Sequence, residues 1–296
     1  MTGTRIDAEF GPRRDFTIEF FAMGSPCAVI VSGEDAAVAA HIGRLVSSEA
    51  YRIESKFSRA KPSVLTAINE AAGSRVELDA ETAELIDYAH RCFLMSEGLF
   101  DMTAGPLSRA WRPDGTHRMP EAGEISRALQ HVGWARVRWE RPFLTLESGM
   151  EIDLAEISKE YAVDRAMAQA LQQGAAGMLI NFGGAMRVSG ARADASAWQV
   201  AVENVDTGER AEMLELSHGA LATSGSARRF LRDESKRFGR VLNPRTGWPI
   251  PNAPRSVTVL ADSCSEAGVL AKLALLRGLE AEAFLRDRKV RFWIAR

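Results

Sequence analysis

A long amphipathic helix that runs straight into a broken pair of strands constrains this chain more than any other feature. In IDLAEISKEYAVDRAMAQALQQG (152–174) apolar residues recur at helical spacing, and Gly174 supplies the stop. GMLINFGGAMRVSG (177–190) then reads as a strand, a glycine break and a second strand. The same interleaving recurs along the chain. FTIEFFAM (16–23) and CAVIVS (27–32) read as two strands joined by a Gly24-Ser25-Pro26 turn. Apolar spacing predicts a helix over about 35–57 and another over 80–96, the second capped by the Asp79 carboxylate. EGLFDMTAGPLSRAW is a loop opening into a short helix, and VRWERPFLTLE (137–147) reads as a hairpin. WQVAVEN and MLELS continue the β pattern, and SVTVLAD (256–262) is a strand. It runs into SCSEAGVLAKLALLRG, where Ser263 and Glu266 have capping-box spacing. A helix over about 279–287 and the strand KVRFWIA close the chain. Helices interleaved with hairpins predict an α+β fold of layered sheets rather than a pure βαβ series. With no internal repeat, low-complexity tract or linker, residues 1–296 are expected to form a single unit, as one body or as two lobes meeting at a cleft.

Composition serves mainly to exclude. The 37 basic and 39 acidic residues leave a net charge of −2, so no overall basic field recruits nucleic acid or an anionic membrane. No stretch approaches ~18 uninterrupted apolar residues, which argues against a membrane span. The N-terminal MTGTRIDAEFGPRRDF lacks the apolar centre of a signal peptide. Cys27, Cys92 and Cys264 are too scattered for a disulfide framework or a zinc cluster, and are expected as reduced, buried thiols. The expectation is a cytoplasmic globular protein.

Four segments carry candidate chemistry. In VLNPRTGWPI (241–250), Pro244, Gly247 and Pro249 stiffen the chain and present Asn243 and Arg245 on a rigid turn. Gly183-Gly184 after an apolar strand reads either as a β-bulge or tight bend, or as a place where another backbone or a ligand approaches closely. It is not the spacing of a dinucleotide fingerprint. LATSGSARRF (221–230) sets Thr223, Ser224 and Gly225 at a turn before Arg228 and Arg229, either a phosphate site or a solvated turn with a basic face. Glu156, Lys159, Glu160 and Asp164 share neighbouring parts of one helix surface. The five histidines (His41, His90, His117, His131 and His218) have no metal-ligand spacing, and neither a G-x-S-x-G elbow nor a Walker loop is present.

Taken in order, FAMGSP, SEGLFDMTAGPLSRAW, DLAEISKEYAVD, INFGGAMRVSG, LATSGSARRF, VLNPRTGWPI and SVTVLADSCSEAGVLAKLALLRG resemble the ApbE-like family of FAD:protein FMN transferases. The resemblance covers roughly residues 16–278 and implies layered mixed sheets with flanking helices around a flavin-nucleotide cleft. It implies cleavage of the FAD pyrophosphate and attachment of FMN to a Ser or Thr hydroxyl of an acceptor protein, with Mg²⁺ assistance. It places Met23, Leu99, Phe100, Asp101, Asp153, Lys159 and Leu242 along the flavin nucleotide. Gly183, Gly184, Thr223, Ser224 and Gly225 fall in the surrounding loops.

The chain departs from the family pattern where the chemistry is concentrated. D-L-G-G-I-A-K-G-Y-A-V-D becomes a segment with Ala155, Glu156, Ser158 and Glu160. H-I-I-D-P-R-T-G becomes one with Arg240 at the His position and Asn243 at the Asp position, the two catalytic candidates. Asn is not a general base at neutral pH, and Arg stays protonated. The family's ligand positions fall at Glu156, Gly268, Ala271 and Lys272, a poor set for an ion that favours hard oxygen donors. Lys272 either stands as a fixed cation in the ion's place, or reaches solvent, or pairs with Glu156 or Glu160. Three readings follow: an FMN transferase of altered metal dependence, a flavin-binding carrier or regulatory protein without transfer, or a protein acting on another acidic ligand at its Arg-rich rim.

Overall fold

The computed structural model describes residues 5–8, 15–33, 35–111, 119–175, 177–203, 210–225, 231–233, 236–238 and 241–296. The chain opens with strands β1 (Arg5–Ala8), β2 (Asp15–Ala22) and β3 (Ser25–Ser32). Helix α1 (Ala36–Lys56) starts at Asp35, whose carboxylate accepts from the Ala37 and Val38 amides at 2.8 and 2.9 Å. The short α2 (Val64–Glu70) begins with a reciprocal Ser63–Thr66 capping box. After β4 (Arg75–Glu77) comes α3 (Ala80–Met95), where the Asp79 carboxylate accepts from the Glu81 and Thr82 amides. Then follow α4 (Gly105–Ala110), α5 (Ala122–Leu129), β5 (Arg138–Glu140) and β6 (Phe143–Thr145). Helix α6 (Ala155–Gln172) leads into β7 (Gly177–Phe182) and β8 (Ala185–Ser189). They precede β9 (Trp198–Glu203), β10 (Arg210–Leu216), β11 (His218–Gly225), β12 (Leu231–Asp233) and β13 (Lys236–Phe238). β14 (Ser256–Ala261), α7 (Cys264–Leu276), α8 (Ala281–Asp287) and β15 (Arg291–Ala295) complete the chain.

The main sheet runs in the order β1-β2-β3-β7-β8-β11-β14-β15. Every neighbouring pair in it is antiparallel, and two-residue turns join β2 to β3 and β7 to β8. Helices α1, α6 and α7 form a layer on one face, α6 packing between α1 and α7. The β9–β10 hairpin covers part of the other face. Strand β7 shows why its sequence is apolar at nearly every position. Met178, Ile180 and Phe182 enter the main core, while Leu179 enters the cluster of Val188, Trp198, Val200 and Leu214. The α+β layering expected from the sequence is thus the observed architecture. β4, β6 and β5 form a separate three-stranded sheet, so the predicted hairpin gains a third strand.

Antiparallel order decides what meets at each end of the sheet. Ala22 pairs with Ser25, Phe182 with Ala185, Ala222 with Ala185 and Gly225 with Ser256. The β2–β3 turn, the β7–β8 turn and the last residues of β11 therefore share one end. Since α6 ends just before β7 begins at the opposite end, its N-terminus lies at this shared end. α7 follows β14 from the opposite end and so runs antiparallel to α6.

Candidate functional site

The shared end of the sheet is built from residues that tolerate unusual backbone. Met23 and Gly24 turn with φ of 53° and 69°, and Gly183 and Gly184 with 58° and 94°. The two turns touch: the Gly183 amide donates to Pro26 O at 3.1 Å, and a Cβ at Gly183 would collide with the Ser25 side chain. Of the sequence readings of the glycine pair, the tight bend is the one seen: Gly183 and Gly184 are the two-residue turn between β7 and β8, with Ser25 and Pro26 of the neighbouring strand against Gly183. Gly184 receives support from Asn181 Oδ1 at 2.9 Å, and its carbonyl accepts from the Thr223 amide at 3.4 Å. Lys159 Nζ, reaching over from the first half of α6, donates to Gly183 O at 3.5 Å. Met23, Lys159, Gly183, Gly184 and Thr223 are thus brought together. Two expectations change here: the first turn is Met23-Gly24, with Ser25 and Pro26 already paired in β3, and Thr223, Ser224 and Gly225 form the end of strand β11 rather than a turn. Their ladder with Thr258, Val257 and Ser256 overrides the local turn chemistry. Thr223 Oγ1 lies 2.8 Å from Thr258 Oγ1.

The Leu99-Phe100-Asp101 segment approaches from another side. Leu99 packs against the core and Phe100 is buried in it. Both predicted carboxylates hold backbone. Asp101 accepts from the Thr103 amide and hydroxyl at 2.8 and 2.6 Å and from the Trp134 amide at 2.9 Å. Asp153 accepts from the Ala155 amide at 2.9 Å, starting α6, and from Arg59 Nη1 at 2.5 Å. Arg59 also lies 3.5 Å from Glu151 and donates to Gly105 O at 3.4 Å. Sequence reasoning missed Arg59, because a lone arginine in the loop after α1 belongs to no periodic pattern.

The 241–250 turn closes this side. The Asn243 amide donates to Trp248 O and the Gly247 amide to Asn243 O, both at 2.8 Å. Asn243 Oδ1 accepts from the Arg245 amide at 2.9 Å, so the carboxamide at the family's acid position serves the turn itself. Trp111 Nε1 donates to Gly247 O at 2.8 Å, and the Arg245 guanidinium donates to Glu97 O. Leu242 packs on the small cluster of Leu107, Trp111 and Ile125. The turn is therefore pinned to the 97–111 segment. The other catalytic candidate, Arg240, lies outside the described residues, as do Arg228 and Arg229.

The seam between α6 and α7 holds the departures. Each step of four residues along α6 meets a step of four back along α7. At the first rung Glu156 forms an ion pair with Lys272, one of the alternatives left open by the sequence. At the second, Glu160 lies against Gly268: a Cβ there would sit 2.5 Å from Glu160 Cγ and 3.0 Å from Cδ. At the third, Asp164 accepts from the Cys264 and Ser265 amides at 2.9 and 2.8 Å, from Ser265 Oγ at 2.7 Å and from Arg187 at 2.6 Å. Burial pushes the Glu160 carboxyl above its ordinary value, Lys159 and Lys272 opposing the shift and Glu156 adding to it. Burial likewise pushes the Cys264 thiol up, helped by Glu160 and Asp164. Against a Mg²⁺ ion these residues fit badly. Gly268 and Ala271 offer no side-chain donor, Lys272 brings a positive charge, Glu156 is already paired, and Glu160 is buried against Gly268.

A helix layer on an antiparallel sheet, with glycine turns and a lysine gathered at the sheet's end, defines a layered α+β protein with its candidate site at the ends of the central strands. A family model described as the ApbE family matches residues 23–293, and the chain belongs to that family. It is similar to the FAD:protein FMN transferase of Klebsiella pneumoniae, 28% identical over 284 residues that cover 93% of this chain and 87% of that protein. The Haemophilus influenzae FAD:protein FMN transferase is 28% identical over 213 residues, 67% of this chain and 61% of that protein. Among solved structures, the ApbE protein of Thermotoga maritima superposes with a TM-score of 0.86 at 27% identity, covering 95% of this chain and 94% of that one.

Proposed function

We propose that this chain binds FAD at the end of the main sheet and transfers its FMN half to a Ser or Thr hydroxyl of an acceptor protein. The observation that carries the reading is the convergence of Met23, Lys159, Gly183, Gly184 and Thr223 at one sheet end. It comes in a chain matched over nearly its whole length by an FMN transferase. In this reaction the acceptor oxygen bonds to the phosphorus of the FMN half. The bond from that phosphorus to the bridging oxygen breaks, AMP leaves with that oxygen, and the hydroxyl proton is released. What the protein supplies is position and positive charge around the pyrophosphate. Lys159 supplies the charge, the glycine turns allow close approach, and Asp153 and Asp101 hold the surrounding backbone rather than the ligand.

A second reading, a flavin-binding carrier or regulatory protein that performs no transfer, is favoured by one observation. The Asn243 carboxamide, standing where the family pattern has an acid, is committed to its own turn. Incubation with FAD, Mg²⁺ and an acceptor bearing a Ser/Thr flavinylation motif separates the two. Covalent flavin fluorescence on the acceptor supports transfer. FAD binding without it supports the carrier, and absence of FAD binding at micromolar protein sinks both and leaves another acidic ligand. The reading treats the chain as a single unit, supported by a main core that runs from Ile18 to Leu285. A cytoplasmic setting belongs to the reading as well, and three buried, unpaired cysteines support it. No helix among the described residues is long and apolar enough to cross a membrane.

A further inference from the structure

We propose that Lys272 is the fixed cation of this site, standing in the place of a divalent ion, so that the phosphates of FAD are bound here without added metal. The inference rests on the flavin-nucleotide reading above. Three features of the α6–α7 seam carry it.

The first is anchoring. The Lys272 side chain is 18% exposed and its partner Glu156 is 55% exposed. The ammonium is held in the helix seam, while the carboxylate, on the first turn of α6, is the movable member. The second is exclusion. Glu160 fills the space beside Gly268, so no carboxylate fits at 268 while Glu160 is present. The two positions have exchanged what the family pattern places there, an acid on α7 and a glycine on α6. The third is charge. Glu156 and Lys272 cancel at their rung, and Gly268 and Ala271 bring no oxygen donor, so that rung offers Mg²⁺ no net negative charge. An arriving phosphate finds Lys159 three residues from Glu156, and displaces Glu156 from Lys272 to gain a second ammonium. Glu156 thereby acts as a placeholder that neutralises the lysine until the nucleotide arrives.

Binding of FAD to the purified full chain, followed by flavin fluorescence in EDTA and again in millimolar Mg²⁺, tests this. The dissociation constant is expected to agree within about twofold between the two conditions. Lys272→Met is expected to weaken binding by about tenfold, one kept charge–phosphate contact being worth roughly that factor. Lys272→Arg should stay close to the parent, and Glu156→Gln should bind severalfold tighter because the competing carboxylate is gone. Loss of FAD binding in EDTA with recovery in Mg²⁺ overturns the inference, as does unchanged affinity in a folded Lys272→Met. FAD ignored in both conditions overturns the functional reading, and the inference with it. The reverse construction gives a second readout. Glu156→Gly, Glu160→Gly, Gly268→Asp and Lys272→Thr combined should release heat on titration with Mg²⁺, which the parent should not. A parent that itself binds Mg²⁺ at this seam would overturn the proposal.

Discussion

Gly268 and Glu160 show how one absent side chain and one buried one depend on each other. Any Cβ at 268 meets Glu160 well inside van der Waals contact. Gly268→Ala is therefore expected to cost about 1–3 kcal/mol, the range of overpacking in a filled interior. The loss should largely disappear in a Glu160→Gly background, and urea denaturation of the four members of that cycle checks it. The same glutamate sets a pH dependence. Around it stand Lys159, Glu156 and Asp164 on its own helix, Lys272 and Cys264 on α7, and Tyr88 on α3. Its folded-state value is raised above the ordinary 4.5, so the folded protein keeps this proton to higher pH than the unfolded chain does. The slope of stability with pH is then negative: this group favours folding at low pH and loses that contribution as pH climbs above 4.5. Glu160→Gln should consequently gain in melting temperature over the parent as pH rises above 4.5. A difference that is flat with pH would contradict the raised value.

At the scale of elements, α7 is begun from outside itself. Ser263 accepts from the Glu266 amide at 3.2 Å, but the Cys264 and Ser265 amides are held by Asp164, a residue of α6. Removing this carboxylate leaves donors at a helix start without their acceptor. Asp164→Ala is expected to cost about 3 kcal/mol, read from the urea midpoint. Helices α1 and α3 are joined differently, by a belt of charges. Arg52 bonds Glu49 and Glu81, Lys56 bonds Asp79 and Glu81, and Tyr161 of α6 donates to Glu81 at 3.1 Å. Arg52 first, with Lys56, holds the Glu81 carboxyl down at about 2, against the opposing effect of burial. Because that value is depressed, its contribution is present above about 4.5 and fades as pH falls toward 2. Glu81→Gln should cost about 1 kcal/mol at neutral pH, in keeping with a partly exposed network, and should make little difference at pH 2.

For the molecule as a whole, the 241–250 turn is where a satellite joins the main body. Gly247 has φ of 74°, and a Cβ there would run into Ile125 and come within 3.0 Å of Leu107. Trp111 bonds the same residue's carbonyl, so turn and satellite share one fastening. Gly247→Ala should loosen it. Amide exchange should accelerate in residues 104–111 and 241–250 while the β7–β8 hairpin keeps its protection, and flavin affinity should fall. Equal acceleration in β7 would show instead that the satellite and the sheet open as one unit.

Much of this was legible without coordinates. Helices α1, α3, α6 and α7 announce themselves by apolar spacing and caps, and β7 by an unbroken apolar run, because these are consequences of local geometry. The short α2, β4 and α5 were not anticipated, since seven, three and eight residues carry too little periodicity to register. The ordered segments also grouped Met23, Lys159, Gly183 and Gly184, which the fold brings to one end of the sheet. Two things belonged to tertiary structure alone: that Thr223–Gly225 is strand, and that Lys272 faces Glu156 while Gly268 faces Glu160. Each depends on which distant segment arrives alongside, and helix-to-helix register is decided by how both helices settle on one sheet, not by the residues of either.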